Sequence, residues 1–427
     1  MKQELISIQK NKLPEGWHVY KMEDVCDLKT GGTPSKSRPE YFGGNIKWIV
    51  SGDINKEFIY DVEGRITELG LKDSNARLLP IDSVLIALNG QGKTRGTVAV
   101  LKTEATCNQS IIAFIPKNRQ NLDYIFLFYY LKNGYQKLRN LTGDNERSGL
   151  SMRVLRPLPV IVPPIDTQRI IIDKLEKQMA QIDIMRKELG KQLDSTERLF
   201  EIYLNEIFHF KLNGDLPADW KWRKLSEVTE DWKEDIVSGP FGSNLVVADY
   251  KNEGVPIIRL QNIQRMKFIN SDIKYITPEK AEELKRHSYN PEDIVIAKLG
   301  IPVGKACKIP DKFEKGILVA DVVRVRVNKT ENDVHFMEYL LNSNLVAEQL
   351  NSKIIGSTRP RVNLYDVRDL ILPVPSKLEQ QKIASKLDKQ TAQIEIMKNE
   401  AVKQLKAVNQ LPASILNEVF GQYQINS

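Results

Sequence analysis

Cysteine, histidine and long apolar runs are scarce in this 427-residue chain. The three cysteines, Cys26, Cys107 and Cys307, lie far apart, which argues against a disulfide framework or a cysteine-based zinc site. The four histidines are equally scattered, without the spacing of metal ligands. No apolar run is long enough to cross a bilayer, and residues 1–12 lack the apolar core of a signal peptide. We therefore expect a cytoplasmic protein with no bound metal and no membrane contact.

Motifs for nucleotide or cofactor chemistry are also missing. The segment from Asn89 to Gly96 contains glycines and a lysine, but their spacing differs from that of a phosphate-binding loop. Glu283 and Lys285 could end a nuclease motif, yet no upstream Pro-Asp completes it. No glycine-rich loop is joined to the Asn/Asp-Pro-Pro-aromatic motif that an amino-methyltransferase needs. The sequence therefore predicts a chain that is not an enzyme and binds no cofactor itself.

The chain does have the composition of a globular protein and a surplus of positive charge. Hydrophobic residues make up 41% and charged residues 27% of a length that allows two or three domains. The net charge of +7 permits a polyanionic partner, because each neutralised phosphate releases a counterion. Solubility alone would also explain this charge. The positions of the basic residues therefore matter more than their number.

An internal repeat is the strongest signal in the sequence. Residues 163–208 match residues 375–420 without a gap at an offset of 212, with identity at twenty-one of 46 positions. Ala180-Gln-Ile-Asp-Ile-Met185 returns as Ala392-Gln-Ile-Glu-Ile-Met397. Leu13-Pro-x-x-Trp17 returns as Leu216-Pro-x-x-Trp220. Each half is thus a variable module followed by a well-matched one.

The two matched segments are predicted to be long helices that pair as a coiled coil. Each follows a proline-rich extended stretch, and Pro412 should kink or interrupt the second helix. A heptad spacing marks the seam, and the polar Gln178 and Gln390 recur in it as residues that fix register. An amphipathic helix packed on its own domain is the alternative. The helix-pairing residues are Ile171, Leu175, Gln178, Ile182, Met185 and Leu189, with Ile383, Leu387, Gln390, Ile394 and Met397.

The variable modules are predicted to be mixed α/β domains. Short apolar runs at 46–50, 83–87 and 255–260 indicate strands, and 123–133 and 334–343 indicate helices. The fold class is therefore α+β, with two α/β domains, each followed by a long helix, and the helices paired antiparallel about a pseudo-twofold axis. The expected boundaries are 1–162 and 211–374 for the domains, and 163–210 and 375–427 for the helical segments.

Basic loops rich in glycine and serine are the candidate DNA contacts. Glycines let the backbone approach a phosphate, and hydroxyl groups and lysines supply donors. Ordinary surface turns have the same composition. If residues 259–262 form a strand, Arg259 and Gln261 share a face that could meet base edges, although a solvated sheet face would look the same. The candidates in the first half are Lys29, Gly31, Gly32, Thr33, Ser35, Lys36, Arg38, Lys93, Arg95 and Arg147. Those in the second half are Ser238, Gly239, Phe241, Ser243, Asn244, Arg259, Gln261, Asn262, Lys298, Ser357, Thr358, Arg359 and Arg361.

These residues and their order resemble the DNA-specificity subunits of type I restriction–modification systems. Gly31-Gly-Thr-Pro-Ser-Lys-Ser-Arg38 and Trp48-Ile-Val-Ser-Gly-Asp-Ile54 are similar to a target-recognition domain of that family. Ser238-Gly-Pro-Phe-Gly-Ser-Asn244 and Pro256-Ile-Ile-Arg-Leu-Gln-Asn262 resemble a second variety of it. Leu378-Glu-Gln-Gln-Lys-Ile383 resembles the family's helix start. The resemblance covers nearly the whole chain.

The resemblance implies a division of labour between this chain and its partners. Each domain would bind one half of a split target in double-stranded DNA, and the paired helices would set the spacer between the halves. The helices would also dock two modification subunits, which bind S-adenosylmethionine and methylate adenine. Restriction subunits would add translocation and cleavage driven by ATP and Mg²⁺. No cofactor is expected on this chain.

Two other functions stay open at this point. A coiled-coil scaffold without nucleic-acid binding would explain the helices but leave the basic loops without a role. A stand-alone DNA methyltransferase or nuclease would need the cofactor or metal motifs that the sequence lacks.

Overall fold

The computed structural model describes residues 13–89, 93–140, 150–354 and 359–421. The chain divides into two compact units, Met1–Leu189 with Gln404–Ser427 and Gly190–Lys403. Both divisions fall within long helices. Each unit therefore combines one α/β domain with part of each long helix.

Ten strands and five short helices make up the described part of the domain in the first unit. The strands are β1 (His18–Lys21), β2 (Cys26–Thr30), β3 (Phe42–Ile49), β4 (Phe58–Ile59), β5 (Arg65–Ile66), β6 (Val84–Ala87), β7 (Val98–Leu101), β8 (Thr106–Cys107), β9 (Ile111–Pro116) and β10 (Pro159–Val162). The helices are α1 (Met22–Val25), α2 (Glu68–Lys72), α3 (Tyr124–Asn133), α4 (Tyr135–Asn140) and α5 (Met152–Leu155).

Two sheets organise this domain. The larger has the order β2-β9-β6-β7-β4, and the smaller has the order β5-β3-β8. All four residues of β6 are buried, as its continuous apolar sequence predicts for a central strand. In the smaller sheet β3 and β8 run parallel, with Ile49 opposite Cys107. The carboxyl ends of these two strands therefore lie at the same edge.

Twelve strands and five short helices make up the described part of the domain in the second unit. The strands are β11 (Lys221–Lys224), β12 (Ile236–Ser238), β13 (Val255–Ile258), β14 (Ile263–Gln264), β15 (Lys267–Phe268), β16 (Lys274–Ile276), β17 (Ser288–Tyr289), β18 (Ile294–Ala297), β19 (Ala306–Lys308), β20 (Gly316–Leu318), β21 (Val322–Val325) and β22 (Ile371–Val374). The helices, numbered after the first long helix α6 (Ile165–Phe208), are α7 (Trp232–Asp235), α8 (Pro278–Glu283), α9 (Val334–Leu341), α10 (Asn344–Asn351) and α11 (Leu364–Arg368).

The second domain repeats the plan of the first. Its sheets have the orders β12-β21-β18-β19 and β16-β13-β20-β17. Here β13 and β20 form the parallel pair, with Ile258 opposite Leu318. In each domain an antiparallel ribbon, β1 with β10 or β11 with β22, leads into a long helix. The predicted α/β domains are confirmed, and the run at 255–260 is a strand only as far as Ile258.

Each long helix begins with a buried glutamine that binds its own domain. These helices are α6 and α12 (Lys377–Phe420), of 44 residues each. In the first unit Gln168 Nε2 donates to Asn121 O at 2.7 Å, and its Oε1 accepts from Asp123 N at 2.9 Å. In the second unit Gln380 Oε1 accepts from Asp333 N at 2.8 Å. Since Asp123 and Asp333 cap α3 and α9, each glutamine connects the start of a long helix to the start of a domain helix.

The long helices pair antiparallel in each unit, as predicted. In the first unit Lys174 Nζ lies 3.9 Å from Glu418 Oε1, and Arg186 Nε donates to Asn409 Oδ1 at 2.9 Å. In the second unit Lys398 Nζ donates to Glu197 Oε1 at 3.0 Å.

The placement of two methionines in the seam is wrong. Met185 is 46% and Met397 42% exposed, and the half-buried neighbours Arg186 and Lys398 take their places. At these two positions the half-buried residue is therefore the one that follows the predicted methionine, and its cation has a polar partner on the opposite helix.

Of the other predicted helix-pairing residues, Leu175, Ile182, Leu387 and Ile394 are buried, and Ile171, Gln178, Leu189, Ile383 and Gln390 are half-buried. The Oε1 atoms of both glutamines are buried without a hydrogen-bond partner among the described residues. The resulting loss of stability is expected of polar seam residues that fix the register of a coiled coil. Helix α12 continues through Pro412, and Leu416 and Phe420 beyond it join the core of the first unit.

Glycines allow backbone to pack on backbone near both parallel pairs. A Cβ atom at Gly31 would stand 1.8 Å from Cys107 O, and one at Gly239 would stand 2.1 Å from Val319 O. Neither neighbour is a flexible side chain that could move aside. A Cβ atom at Gly242, three residues after Gly239, would meet nothing within 4 Å.

We therefore expect Gly239→Ala to destabilise the protein by about 1–3 kcal/mol, the usual cost of forcing atoms into a packed interior. Gly242→Ala, the matched control, should stay within about 0.5 kcal/mol of the parent. Denaturant unfolding of both variants measures the difference. Equal stability of the two variants would show that the close approach at Gly239 is not a constraint.

Candidate nucleic-acid interface

In each domain one short turn, here called the central turn, follows the second strand of the parallel pair. It comprises residues 108–110 after β8 and residues 319–321 after β20. Three other segments lie against it, and all of them except residues 50–53 contain predicted DNA-contact residues. They are the glycine turn (31–38 and 239–244), the strand-end turn (50–53 and 259–262) and the hairpin turn (88–89 with 93–97, and 298–304).

Hydrogen bonds define this arrangement in the first domain. Gly32 N donates to Cys107 O at 2.9 Å, and Thr33 Oγ1 donates to Gln109 Oε1 in the central turn. Asn108 N donates to Ile49 O, the last residue before the strand-end turn, at 2.9 Å. From the hairpin turn, Leu88 N donates to Ser110 O at 2.8 Å, and Leu88 O accepts from Leu150 N at 3.2 Å.

The second domain shows the same pattern with different side chains. Val319 N donates to Ile258 O at 3.1 Å, and Lys298 N donates to Asp321 O at 2.8 Å. Lys298 O accepts from Val362 N at 3.0 Å, which brings in the loop before α11. Arg361 in that loop pairs with the Asp321 carboxylate at 2.7 Å. Segments that are scattered through the sequence therefore meet at one edge in each domain.

Exposed polar and basic side chains surround the central turns. Arg38 lies over the Tyr41 ring, 5.6 Å from its centroid, and donates to Tyr41 Oη at 3.2 Å. Tyr41 in turn donates to Asp73 at 3.0 Å, so the Arg38 guanidinium is held in place. Phe241 is 87% exposed. The exposed candidates are Ser35, Lys36, Arg38, Lys93, Phe241, Ser243, Asn244, Gln261, Arg359 and Arg361, and the half-buried ones are Lys29, Thr33, Arg95, Ser238 and Arg259. Arg147, Ser357 and Thr358 lie outside the described residues.

Four predicted contacts are contradicted by burial. Gly31, Gly32 and Gly239 are buried against backbone, so they shape the glycine turn and cannot bring its backbone to a phosphate. Asn262 is fully buried. Its Oδ1 accepts from Arg259 N at 3.0 Å, and its Nδ2 donates to Ile269 O at 3.0 Å. Asn262 therefore closes the strand-end turn instead of reaching DNA.

Arg259 and Gln261 do lie together, but not on a strand. Strand β13 ends at Ile258, and residues 260–262 form a turn of 3-10 helix. Both side chains donate to Asp272 Oδ2, each at 2.9 Å. The predicted shared strand face is wrong, because the Asn262 cap ends the strand. The two side chains are neighbours through a common carboxylate.

Lys298 is 6% exposed, which makes it a poor phosphate contact. Burial lowers the pKa of its ammonium group, and the nearby Arg361 guanidinium lowers it further. The Arg95 guanidinium donates to Arg139 O at 3.4 Å, so this side chain is partly used within the fold. Among the described basic candidates, those at the exposed rim of the two edges have the greatest freedom to meet phosphates.

Several residues of these edges were not predicted from the sequence. Gln109 binds Thr33 across 76 residues, whereas Tyr41 and Asp272 hold Arg38 and Arg259 from 3 and 13 residues away. An offset of 209 aligns Val50 and Asp53 with Arg259 and Asn262, and Val50 N donates to Asp53 Oδ2 at 3.0 Å. The correspondence between these two turns was not predicted from the sequence.

Other kinds of site find no support in the described part of the chain. It contains no group of three or more histidine, cysteine, aspartate or glutamate side chains arranged to hold a metal ion. None of its helices combines the length and apolar character needed to span a membrane.

Comparison with known proteins agrees with this architecture. A sequence model of the type I restriction modification DNA specificity domain matches residues 14–194 and again residues 217–407. The MjaIX type I restriction enzyme specificity subunit of Methanocaldococcus jannaschii is 25% identical, over 97% of this chain and 95% of that protein.

Two solved structures share the fold. A chain from a structure on complex assembly and conformational transition of a type I R-M system has a TM-score of 0.72 at 18% identity, covering 96% of this chain and 98% of that one. The HsdS subunit from Thermoanaerobacter tengcongensis has a TM-score of 0.59 at 19% identity, with the same coverage. With a family match in both halves, the chain belongs to the type I restriction–modification DNA specificity family.

Proposed function

We propose that this chain recognises a two-part target in double-stranded DNA, with one domain for each half. The observation that carries the proposal is the repeated edge, where three segments meet around a central turn in both domains. The backbone contacts recur, whereas the exposed side chains differ. Such a pair of edges suits two unlike half-sites. Family membership supports the DNA-binding role, and the chain itself supplies no catalytic group or cofactor in this proposal.

Exposed cations supply the sequence-independent part of binding. Lys36 and Arg38 in the first domain, and Arg359 and Arg361 in the second, lie at the rims of the two edges. Contacts of this kind position a protein on the duplex without reporting base identity. Base identity then depends on side chains that reach the base edges, for which Arg259 and Gln261 are the candidates in the second domain.

The test compares Arg259→Ala with Lys36→Ala. In the complex assembled with its modification subunits, Arg259→Ala should cost about 1–3 kcal/mol of binding free energy and relax one position of one half-site. Lys36→Ala should weaken binding to all sequences and reduce the slope of log affinity against log salt by about one. Methylome sequencing gives the motif, and gel shifts at several salt concentrations give the slope.

Arg223→Ala is the matched control, because Arg223 pairs with Glu331 at 3.2 Å in ribbon β11. It should leave the motif unchanged. An unaltered motif in Arg259→Ala would refute the base contact, and the absence of sequence preference in the parent complex would refute the function.

The long helices are the proposed docking sites for two modification subunits. Ile184 and Met185 on α6 are 62% and 46% exposed, and Ile396 and Met397 on α12 are 69% and 42% exposed. These pairs belong to the best-matched stretch of the internal repeat. Neither pair packs in the helix seam. An identical exposed apolar pair in both copies of the internal repeat fits two molecules of the same partner protein.

Replacing one pair with glutamates should therefore halve the number of bound modification subunits, and replacing both should abolish assembly. Native mass spectrometry of the mixture counts the subunits. Ile202→Glu is the control, because Ile202 is 50% exposed on α6 but Ser414 stands at the matching position of α12. Full assembly of the doubly altered chain would contradict the proposal.

The helices are also the proposed ruler between the half-sites. Helix α6 is about 66 Å long at 1.5 Å per residue. Four residues inserted after Leu189 in α6, with four after Lys403 in α12, should add about 6 Å and a net rotation near 40°. This rotation is close to the helical twist between neighbouring base pairs, which is roughly 34–36°.

We expect the unread spacer to lengthen by one base pair, with both half-sites intact. Rotation is the harder constraint, because a domain turned off its groove loses base contacts, whereas DNA deformation can absorb a small axial error. The methylation motif of the insertion variant measures the spacer. An unchanged spacer at full activity would show that the helices do not set it.

A further inference from the structure

The carboxylate of Asp272 joins the two candidate base-contacting side chains. Its Oδ2 accepts from Arg259 Nη2 and from Gln261 Nε2, both at 2.9 Å, and its Oδ1 lies 2.9 Å from Lys274 Nζ. The Asp272 side chain is 58% exposed, whereas that of Arg259 is 19% exposed, so the carboxylate lies at the surface and the guanidinium beside it is largely covered. Lys274, Arg259 and Gln261 together hold the pKa of Asp272 well below its usual range, so the carboxylate is charged at neutral pH.

The loop that presents Asp272 is fixed at its base and at its tip. At the base, Asn262 Nδ2 donates to Ile269 O at 3.0 Å and to Ser271 O at 3.1 Å. At the tip, between β14 and β15, Arg265 forms a two-pronged ion pair with Glu201 of α6, in which Nη2 lies 3.1 Å from Oε2. Asp272 itself has a φ of 50°, a left-handed conformation that aspartate tolerates better than most residues.

We propose that Asp272 is a specificity-determining residue that positions Arg259 and Gln261 for base contact. This inference rests on the proposed DNA-recognition function. A long side chain that is mobile before binding loses rotamer freedom when it meets a base, whereas a side chain already held loses little. Asp272 Oδ2 accepts from both side chains, and Arg259 Nη2 also donates to the backbone O of Asp272, so the polar ends of the two side chains lie side by side. Neighbouring base pairs are about 3.4 Å apart, so the two ends can address one base pair or two adjacent ones.

Both side chains keep atoms free for DNA while Asp272 holds them. Within the described part of the chain, Arg259 Nη1 has no hydrogen-bond partner, and neither has Gln261 Oε1. Each of the two side chains therefore keeps one polar atom that the Asp272 contact does not use. The matching turn of the first domain has Val50, Ser51 and Gly52 in place of these residues. The effect of Asp272 should accordingly be confined to one half of the target.

The experiment uses Asp272→Asn and Asp272→Gly in the full chain, assembled with its modification subunits. Asparagine keeps one acceptor oxygen and tolerates the left-handed backbone, and glycine removes the side chain without backbone strain. Both variants should make one or two positions of a single half-site degenerate. At those positions the preference for the target base over other bases should fall about tenfold. The other half-site and the thermal unfolding midpoint should stay unchanged. Asp311→Asn is the control, because Asp311 pairs with the nearby Lys308, at 2.9 Å, and its replacement should leave the motif intact.

A second measurement separates positioning from other roles. If Asp272 acts through its two partners, Asp272→Asn should add little to the loss caused by combined Arg259→Ala and Gln261→Ala, a non-additive result. Higher affinity of Asp272→Asn for random duplex DNA, with an unchanged motif, would overturn the inference and show that Asp272 masks a cation. If both Asp272 variants kept the methylation motif of the unaltered complex, the inference would also be overturned. Absence of any two-part motif in the parent complex would instead refute the proposed function.

Discussion

Two parallel strands that end at the same edge of a sheet must both be followed by turns at that edge, and this constraint shapes both domains. The chain leaves β3 and β8 in the first domain, and β13 and β20 in the second, within hydrogen-bond distance of each other. The glycine turn then packs on the same place, and at Gly31 and Gly239 there is no room for a Cβ atom. Because backbone atoms pack against backbone atoms at the centre of this edge, the exposed side chains of the turns lie around the central turn.

The strand-end turn shows how one framework can support two unlike surfaces. An acceptor side chain, Asp53 or Asn262, binds the backbone N–H three residues earlier in both domains. This bond sets the shape of the turn and does not depend on the residues between its ends. Those residues are therefore free to differ, and the second domain uses this freedom for Gln261 beside Arg259. Specificity can change here with little effect on the fold.

Helices and central strands could be predicted from the sequence because their signals are local and occur twice. The exact seam could not, because hydrophobicity alone favours Met185, whereas the fold uses Arg186 and its bond to Asn409, 223 residues away. The candidate loops could be named, but their meeting at one edge could not, since Thr33 reaches Gln109 across 76 residues. Asn262 was misjudged because an amide that closes a turn has the same sequence signature as one that binds a base.

The polar contact between the long helices recurs together with an exposed apolar pair. Arg186 binds Asn409 in the first unit, and Lys398 binds Glu197 in the second. At the repeat offset of 212, Arg186 matches Lys398 and Glu197 matches Asn409, so the same contact is made once in each unit. The methionine before each cation, Met185 or Met397, is exposed together with the isoleucine before it. Since the contact and the apolar pair depend only on residues of the two long helices, both can recur even though the exposed side chains of the two domains differ.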